Sequence, residues 1–158
     1  MSLLQHPNLI TLVDVFMSTA DCFLILTHAG NTLLSHYRLV EELNIPGIVF
    51  QVLSGLERMH THKIVHNDPK ASNIFIRHNL VQLGDFGASF IYGSCNFTVP
   101  TGTVWYMSPE CLLGATLFGP PADIWSMGCV LAELALRDPP FQGKDEGVVE
   151  GKLAICCP

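Results

Sequence analysis

The sequence predicts an α+β fold that combines short strands with two long helices. Two β-rich runs occupy residues 9–16 and 22–27. An amphipathic helical pattern starts at Asn44, and a second, almost wholly apolar helical pattern starts near Ala122. Strands and helices that occur together in one chain without regular alternation are typical of α+β domains. A length of 158 residues is enough for a single domain with a sizeable core.

Composition and charge narrow the classes of protein to consider. Hydrophobic residues make up 49% of the chain and charged residues 14%, which indicates a folded domain rather than a disordered segment. The net charge is −6 and the eight basic residues are scattered, so we expect no nucleic-acid partner. No apolar run reaches membrane-spanning length and no signal peptide is visible, so we expect no membrane association.

The cysteines indicate the compartment. Six are present without any paired C-x-x-C spacing, which argues against a zinc site and favours a reducing environment. We therefore expect a cytoplasmic protein, with the nucleus as the alternative location.

The elements are predicted in order along the chain. The two β-rich runs form a hairpin around the turn-like residues 18–21. The first helix starts after Asn44 as its N-cap, carries Pro46 in its first turn, and runs to about His62.

The second half of the chain is predicted in the same way. Residues 74–76 and 80–83 form a second strand pair, and residues 87–103 form a long loop of the kind that is usually functional. The second helix covers about residues 122–136 and is apolar nearly all round, so we expect it to be buried at the centre of the domain.

Side chains suited to phosphoryl transfer lie close together in the sequence at Asp68, Lys70, Asn73 and Asp85. This reaction needs metal ligands, a cation for the phosphates and a carboxylate that orients the attacking hydroxyl. The stretch offers all three. The predicted strand pair between Asn73 and Asp85 would return the second residue towards the first.

The motifs that carry these side chains resemble those of the eukaryotic protein kinase family. Residues 66–73 (HNDPKASN) resemble the catalytic loop, residues 85–87 (DFG) the metal-binding motif and residues 108–110 (SPE) the end of the activation segment. Residues 123–128 (DIWSMG) resemble the start of the buried helix beneath the catalytic loop. Residues 6–9 (HPNL) resemble the turn before the fourth strand of the small lobe.

The resemblance covers nearly the whole chain, in the family's order and spacing, and implies a protein kinase-like fold. Residues 1–30 would be the remnant of the small lobe and hinge. Residues 31–150 would form the large lobe to just past the central buried helix, and residues 151–158 would be a divergent tail.

The resemblance also implies a role for each of the four side chains. Asp68 would orient the substrate hydroxyl and receive its proton. Lys70 would bind the nucleotide and neutralise charge on its γ-phosphate. Asn73 and Asp85 would hold Mg²⁺, a hard cation that takes oxygen ligands. Asn73 would also count among the catalytic residues. The implied cofactors are ATP and Mg²⁺.

The adenine site is implied by the same resemblance. Leu26 would border the back of the pocket, and Phe75 would form the floor under the ring. The backbone from Thr27 to Ala29 would supply hydrogen bonds to the adenine edge.

The implied substrate is a protein with an acceptor Ser or Thr. The position of Lys70, two residues after Asp68, resembles serine/threonine kinases, and so does Gly102-Thr103 before Trp105-Tyr106. In that group Thr103 would be a catalytic-site residue that bonds to Asp68 and Lys70. The oligomeric state is not indicated.

The chain departs from the family's pattern in several places. Asn67 replaces the Arg that usually precedes the catalytic Asp, so we expect no strong activation by phosphorylation at Ser94, Thr98 or Thr101. Pro69 replaces an apolar Leu.

A glycine-rich loop, a strand Lys and a helix Glu do not precede His6. We therefore expect a partial kinase domain that lacks most of the N-lobe and the end of the C-lobe, with little or no activity alone. The alternative is a catalytically inactive, pseudokinase-like scaffold or protein-binding module. His60, His62 and His66 could form a metal cluster, but a solvated helix end is the favoured interpretation.

Overall fold

The computed structural model describes residues 4–38, 42–93 and 102–143. The predicted tail at 151–158 and the candidate phosphorylation positions Ser94, Thr98 and Thr101 lie outside these ranges. The α+β class is confirmed, because small antiparallel sheets are combined with two helices of 17 residues each.

Strands β1 (Leu12–Met17) and β2 (Cys22–Leu26) form the predicted antiparallel hairpin, with Phe16 paired to Phe23. The predicted start of the first strand at residue 9 is wrong. Leu9 instead bridges to Leu83 and is only 2% exposed, so its side chain belongs to the core. The pairing partner of Leu9 is distant in sequence, and a local pattern could not reveal it.

A short strand and helix come after the hairpin. Strand β3 (Asn31–Thr32) leads directly into helix α1 (Leu33–Tyr37), whose N-cap Thr32 accepts a hydrogen bond from the amide of Ser35. Leu33 and Tyr37 are buried. Their burial fixes α1 against the core.

Helix α2 (Ile45–Thr61) confirms the amphipathic pattern. The side chain of Asn44 accepts a hydrogen bond from the amide of Gly47 at 3.1 Å, and a proline occupies the first turn. Such a cap satisfies an amide that would otherwise lack a partner. The apolar face is buried at Val52, Leu56 and Met59.

Four short strands follow α2 along the chain. Strand β4 (Ile64–Val65) pairs with β7 (Phe90–Ile91), and β5 (Ile74–Arg77) pairs with β6 (Leu80–Leu83) as the second strand pair predicted from the sequence. Strand β5 also pairs with β3, so the sheet order is β3-β5-β6. Strand β7 interrupts the loop predicted over residues 87–103, and a 3₁₀ turn at Phe86–Ala88 overlaps the start of that loop.

The C-terminal part of the described chain contains a 3₁₀ turn at Val104–Tyr106, helix α3 (Pro109–Leu112) and helix α4 (Pro120–Leu136). Helix α4 packs against α2, and the two helices share a core with β5 and β6. Within the described ranges no helix is long and apolar enough to cross a bilayer.

The prediction that α4 is buried at the centre of the domain holds for one face of the helix only. Ile124, Leu131 and Leu136 are 51%, 44% and 66% exposed, whereas Asp123 and Glu133 are fully buried. The two acids are buried because each accepts hydrogen bonds from groups that approach α4 from other elements. The apolar pattern alone could not show which face of the helix is buried.

Candidate active site

Asp68 lies at the centre of the candidate site and is only 9% exposed. Its Oδ1 accepts hydrogen bonds from the amide and the hydroxyl of Thr103, at 2.9 and 2.8 Å. Its Oδ2 accepts from Lys70 Nζ at 2.6 Å and from Asn73 Nδ2 at 3.0 Å. The carboxylate is therefore held in one orientation from two sides.

Lys70 joins the two segments that form the site. Its Nζ donates to Thr103 Oγ1 at 2.7 Å as well as to Asp68, although Lys70 and Thr103 are 33 residues apart in sequence. The contact that the family resemblance implies for Thr103 is present. A cation at this position lies beside the carboxylate, where transferred phosphate charge could be neutralised.

Asn73 precedes β5 and Asp85 follows β6, so both lie at the open end of the β5–β6 pair. The amide of Gly84 donates to the carbonyl of Asn73 at 2.9 Å, so the hairpin returns the chain to Asn73 immediately before Asp85. Asn73 donates through its amide nitrogen to Asp68, which leaves its side-chain oxygen for a cation.

Asp85 is exposed and has left-handed backbone geometry, with φ at 61°. Its Oδ1 accepts a long hydrogen bond of 3.4 Å from the amide of Gly87. An exposed carboxylate and a nearby amide oxygen are ligands suited to Mg²⁺, which binds oxygen and keeps several waters or phosphate oxygens. The donor set at Asn73 and Asp85 thus fits this ion.

Helix α4 holds the loop that carries Asp68. Asp123 accepts hydrogen bonds from the amides of His66 at 2.9 Å and Asn67 at 2.8 Å, and from the His60 ring at 2.7 Å. These bonds satisfy a buried carboxylate and support the left-handed geometry of Asn67, whose φ is 69°. Asn is one of the few residues that adopt this geometry at low cost.

His66 connects the loop to the Asp85 segment. Its Nε2 donates to the carbonyl of Gly84 at 3.0 Å, and its Nδ1 accepts from the amide of Asp68. Burial lowers the pKa of His66, and this favours the neutral ring that both bonds require. Its ring also meets Phe86 edge-on at 5.5 Å.

The predicted adenine-site residues are less tightly defined. Leu26 is exposed at the end of β2, and Phe75 is half-buried. The amide of Thr27 donates to the carbonyl of Thr11 at 2.9 Å, so that N–H is used in the hairpin. The adenine hydrogen bonds expected from the backbone of Thr27 to Ala29 would therefore come from its other N–H and C=O groups. The roles of these adenine-site residues stay predictions.

The three histidines considered for a metal cluster have separate partners. His60 contacts Asp123, His62 contacts the carbonyl of Arg58, and His66 contacts Gly84. Among the described residues no group of three or more His, Cys, Asp or Glu side chains is arranged to hold a metal ion.

Comparison with known proteins decides the family. The family model described as "Protein kinase domain" matches residues 1–155. The chain belongs to the protein kinase family. The match covers nearly every residue, including all the motifs that form the site.

Relatives support the same assignment. The chain is 37% identical to cyclin-dependent kinase-like 1 of Caenorhabditis elegans over 90% of its length and 42% of that protein. It is 34% identical to cyclin-dependent kinase 11B of Rattus norvegicus over 90% of the chain and 35% of that protein. It is also 34% identical to a "Probable serine/threonine-protein kinase" of Dictyostelium discoideum, over 97% of the chain and 31% of that protein. The chain thus spans less than half the length of these relatives.

Sequence reasoning assigned no role to several residues that shape this kinase site. Asp123 binds the loop that carries Asp68 and is itself bonded to the His60 ring, and Glu133 accepts hydrogen bonds from two tyrosines, one in α1 and one in the 3₁₀ turn after Thr103. The available signal was the presence of acidic residues in the otherwise apolar helix α4. A buried acid is rare unless it is paired, so it marks a set of polar partners.

Proposed function

We propose that this kinase chain belongs to a serine/threonine protein kinase that transfers the γ-phosphate of ATP to Ser and Thr hydroxyls of proteins. The observation that carries the proposal is the bonded cluster of Asp68, Lys70, Asn73 and Thr103. The name of the Dictyostelium relative supports the Ser/Thr type.

In the proposed reaction the substrate hydroxyl approaches Asp68, which orients it and takes its proton. The substrate oxygen forms a bond to the γ-phosphorus while the bond from that phosphorus to the bridging oxygen breaks, and ADP leaves. Lys70 is close enough to Asp68 to balance charge on the transferred group. Thr103 keeps both side chains in register.

Asn73 and Asp85 are the residues that would hold Mg²⁺. The ion, when bound, neutralises phosphate charge and orients the nucleotide. The contribution of the protein is to present one amide oxygen and one carboxylate at the same end of the β5–β6 hairpin.

Transfer of radiolabelled γ-phosphate to a Ser/Thr peptide pool tests the proposal. Asp68→Asn removes the proton acceptor, so we expect the rate of transfer to fall at least about 100-fold in protein that transfers phosphate. Asp21→Asn is the matched control, because Asp21 lies in the exposed turn of the β1–β2 hairpin, and it should retain wild-type transfer. Undiminished transfer by Asp68→Asn would refute the role of Asp68.

Acid hydrolysis of the labelled product tests the acceptor type. Phosphoserine and phosphothreonine are expected. Phosphotyrosine as the main product would contradict the Ser/Thr assignment while leaving the kinase assignment intact.

The second candidate function is a non-catalytic binding module. The exposed apolar side chains on both strands of the β1–β2 hairpin favour it, since patches of this kind often mark protein-binding surfaces. The exposed members are Val13, Val15, Phe16, Met17, Phe23, Leu24, Ile25 and Leu26. Wild-type protein that neither transfers phosphate nor binds Mg·ATP would favour this alternative.

A further inference from the structure

Glu133 is a fully buried carboxylate on the inner face of α4. Its Oε1 accepts a hydrogen bond from the hydroxyl of Tyr37, and its Oε2 accepts one from the hydroxyl of Tyr106, each at 2.8 Å. The partners are 96 and 27 residues away in sequence. A buried carboxylate is tolerated only when its oxygens are bonded, so both phenols are needed.

The two phenols donate to Glu133 in this arrangement. Burial is the largest cause that raises the pKa of Tyr37 and of Tyr106, and the neighbouring carboxylate raises both further. Both hydroxyls therefore keep their protons through the physiological pH range. Each carboxylate oxygen then has a fixed donor, which sets the position of the two tyrosines relative to α4.

Each tyrosine leads back to the transfer site by a separate route. The amide of Tyr106 donates to the carbonyl of Thr103 at 2.9 Å, and Thr103 bonds to Asp68. Tyr37 ends α1, in which the amide of Leu34 donates to the carbonyl of Ala71 at 2.9 Å. Ala71 comes directly after Lys70, so both routes end on the catalytic loop.

A cavity of about 350 Å³ lies between these two routes. Its lining includes Leu34 of α1, Lys70 of the catalytic loop, Thr103 and Tyr106 of the opposite segment, and Glu133. The carboxylate bridges the elements on either side of the cavity. Its two hydrogen bonds therefore set the separation between α1 and the Thr103 segment.

We propose that Glu133 is a positioning residue for phosphoryl transfer, and that Tyr37 acts on the Thr103–Asp68 contact through it. The catalytic consequence rests on the proposed function. The physical coupling between Tyr37 and Thr103 does not. A carboxylate that merely fills the core would give the same burial without this directional link.

Hydrogen exchange at the Thr103 amide measures the coupling directly, because that amide donates to Asp68. Tyr37→Phe and Tyr106→Phe each remove one hydroxyl while keeping the ring. We expect each to accelerate Thr103 exchange about tenfold, the effect of losing one charge-assisted hydrogen bond. The amide of Val81, which bonds to Gln51, serves as the internal reference.

Ile48→Val is the matched control for a general loss of stability. Ile48 is a buried residue near the start of α2, and its truncation lowers the melting temperature without removing a polar group. Where Ile48→Val lowers the melting temperature as much as a tyrosine variant does, it should still leave the exchange rate of the Thr103 amide unchanged relative to that of the Val81 amide. Tyr92→Phe, an exposed tyrosine, should change neither quantity.

The outcomes separate the possibilities. Acceleration in both site variants but not in Ile48→Val supports the proposal. Acceleration in Tyr106→Phe alone overturns the coupling to α1, and acceleration no larger than in Ile48→Val overturns the positioning role altogether.

A kinetic measurement completes the test in protein that transfers phosphate. Tyr37→Phe should lower kcat several-fold and leave the KM for ATP unchanged, because the affected contact is the one that orients Asp68. Unchanged kcat with a raised KM for ATP would contradict the proposal. Wild-type protein that neither transfers phosphate nor binds Mg·ATP would count against the proposed function, while the exchange experiment would still decide the coupling.

Discussion

Thr103 makes two hydrogen bonds to Asp68, and its backbone can reach that position only because the preceding residue is a glycine. Gly102 has φ at +116°, and a Cβ at that position would lie 2.6 Å from the carbonyl oxygen of Asn67. The neighbouring atom is backbone and cannot move aside. The glycine thus lets the Thr103 segment approach the catalytic loop closely enough for the hydrogen bonds to form.

Gly102→Ala should therefore destabilise the protein. We expect the free energy of unfolding to fall by about 2 kcal/mol or more, from positive-φ strain together with the clash. Denaturant unfolding measures this loss, and nucleotide-dependent phosphate transfer should fall with it.

Gly128→Ala supplies the control for this change. Gly128 lies within α4, and a Cβ there would meet nothing within 4 Å. Alanine has the higher helix propensity, so this variant should gain about 0.5–1 kcal/mol. Equal stability of the two alanine variants would show that the conformation of Gly102 is not restrictive.

Helix α2 shows how much local sequence signals can predict. Its apolar spacing, its Asn44 cap and the proline in its first turn identified its start and its end near His62. These signals are local, because a helix start depends on residues within one turn. By contrast, the position of Leu9 and the burial of the acidic side chains in α4 depend on partners many residues away in sequence. No local pattern reveals these partners.

The cap on α2 gives an element-scale prediction. Asn44→Ala removes the acceptor for the amide of Gly47, so the free energy of unfolding should fall by about 1 kcal/mol. Asn44→Ser keeps a side-chain oxygen at the cap and should restore most of that loss. Thermal or denaturant unfolding of the pair measures the effect, and equal losses in both variants would mean that the hydrogen bond contributes little.

The sequence indicated candidate site residues but not the residues that support them, for a physical reason. Asp68, Lys70, Asn73 and Asp85 are close in sequence and belong to a recognisable motif. Tyr37 in α1 and Glu133 in α4 meet through one hydrogen bond, across 96 positions of sequence. A sequence motif reveals site residues that lie close together in the chain. The residues that orient those side chains can come from any element that packs nearby.

At the scale of the whole molecule, the described chain has a well-packed centre and apolar outer surfaces. The core joins α2, α4 and the β5–β6 pair, while the β1–β2 hairpin exposes apolar side chains on both faces. The loop that carries Asp68 is fixed to this core through Asp123 and His66. The candidate site is therefore attached to the packed core of the fold.

We propose that the packed core of the protein presents a Mg²⁺-dependent nucleotide site through Asn73 and Asp85. Thermal unfolding with and without Mg·ATP tests it most directly. Ligand that binds the folded state alone at 100 times its Kd adds about 2.7 kcal/mol, which corresponds to a rise in Tm of about 5 °C or more for a chain of this size.

We predict such a rise for the wild-type protein and for Asp21→Asn, and its loss when Mg²⁺ is chelated or when Asp85 is changed to Asn. The absence of any rise at saturating Mg·ATP, or a rise of the same size in Asp85→Asn, would contradict the claim.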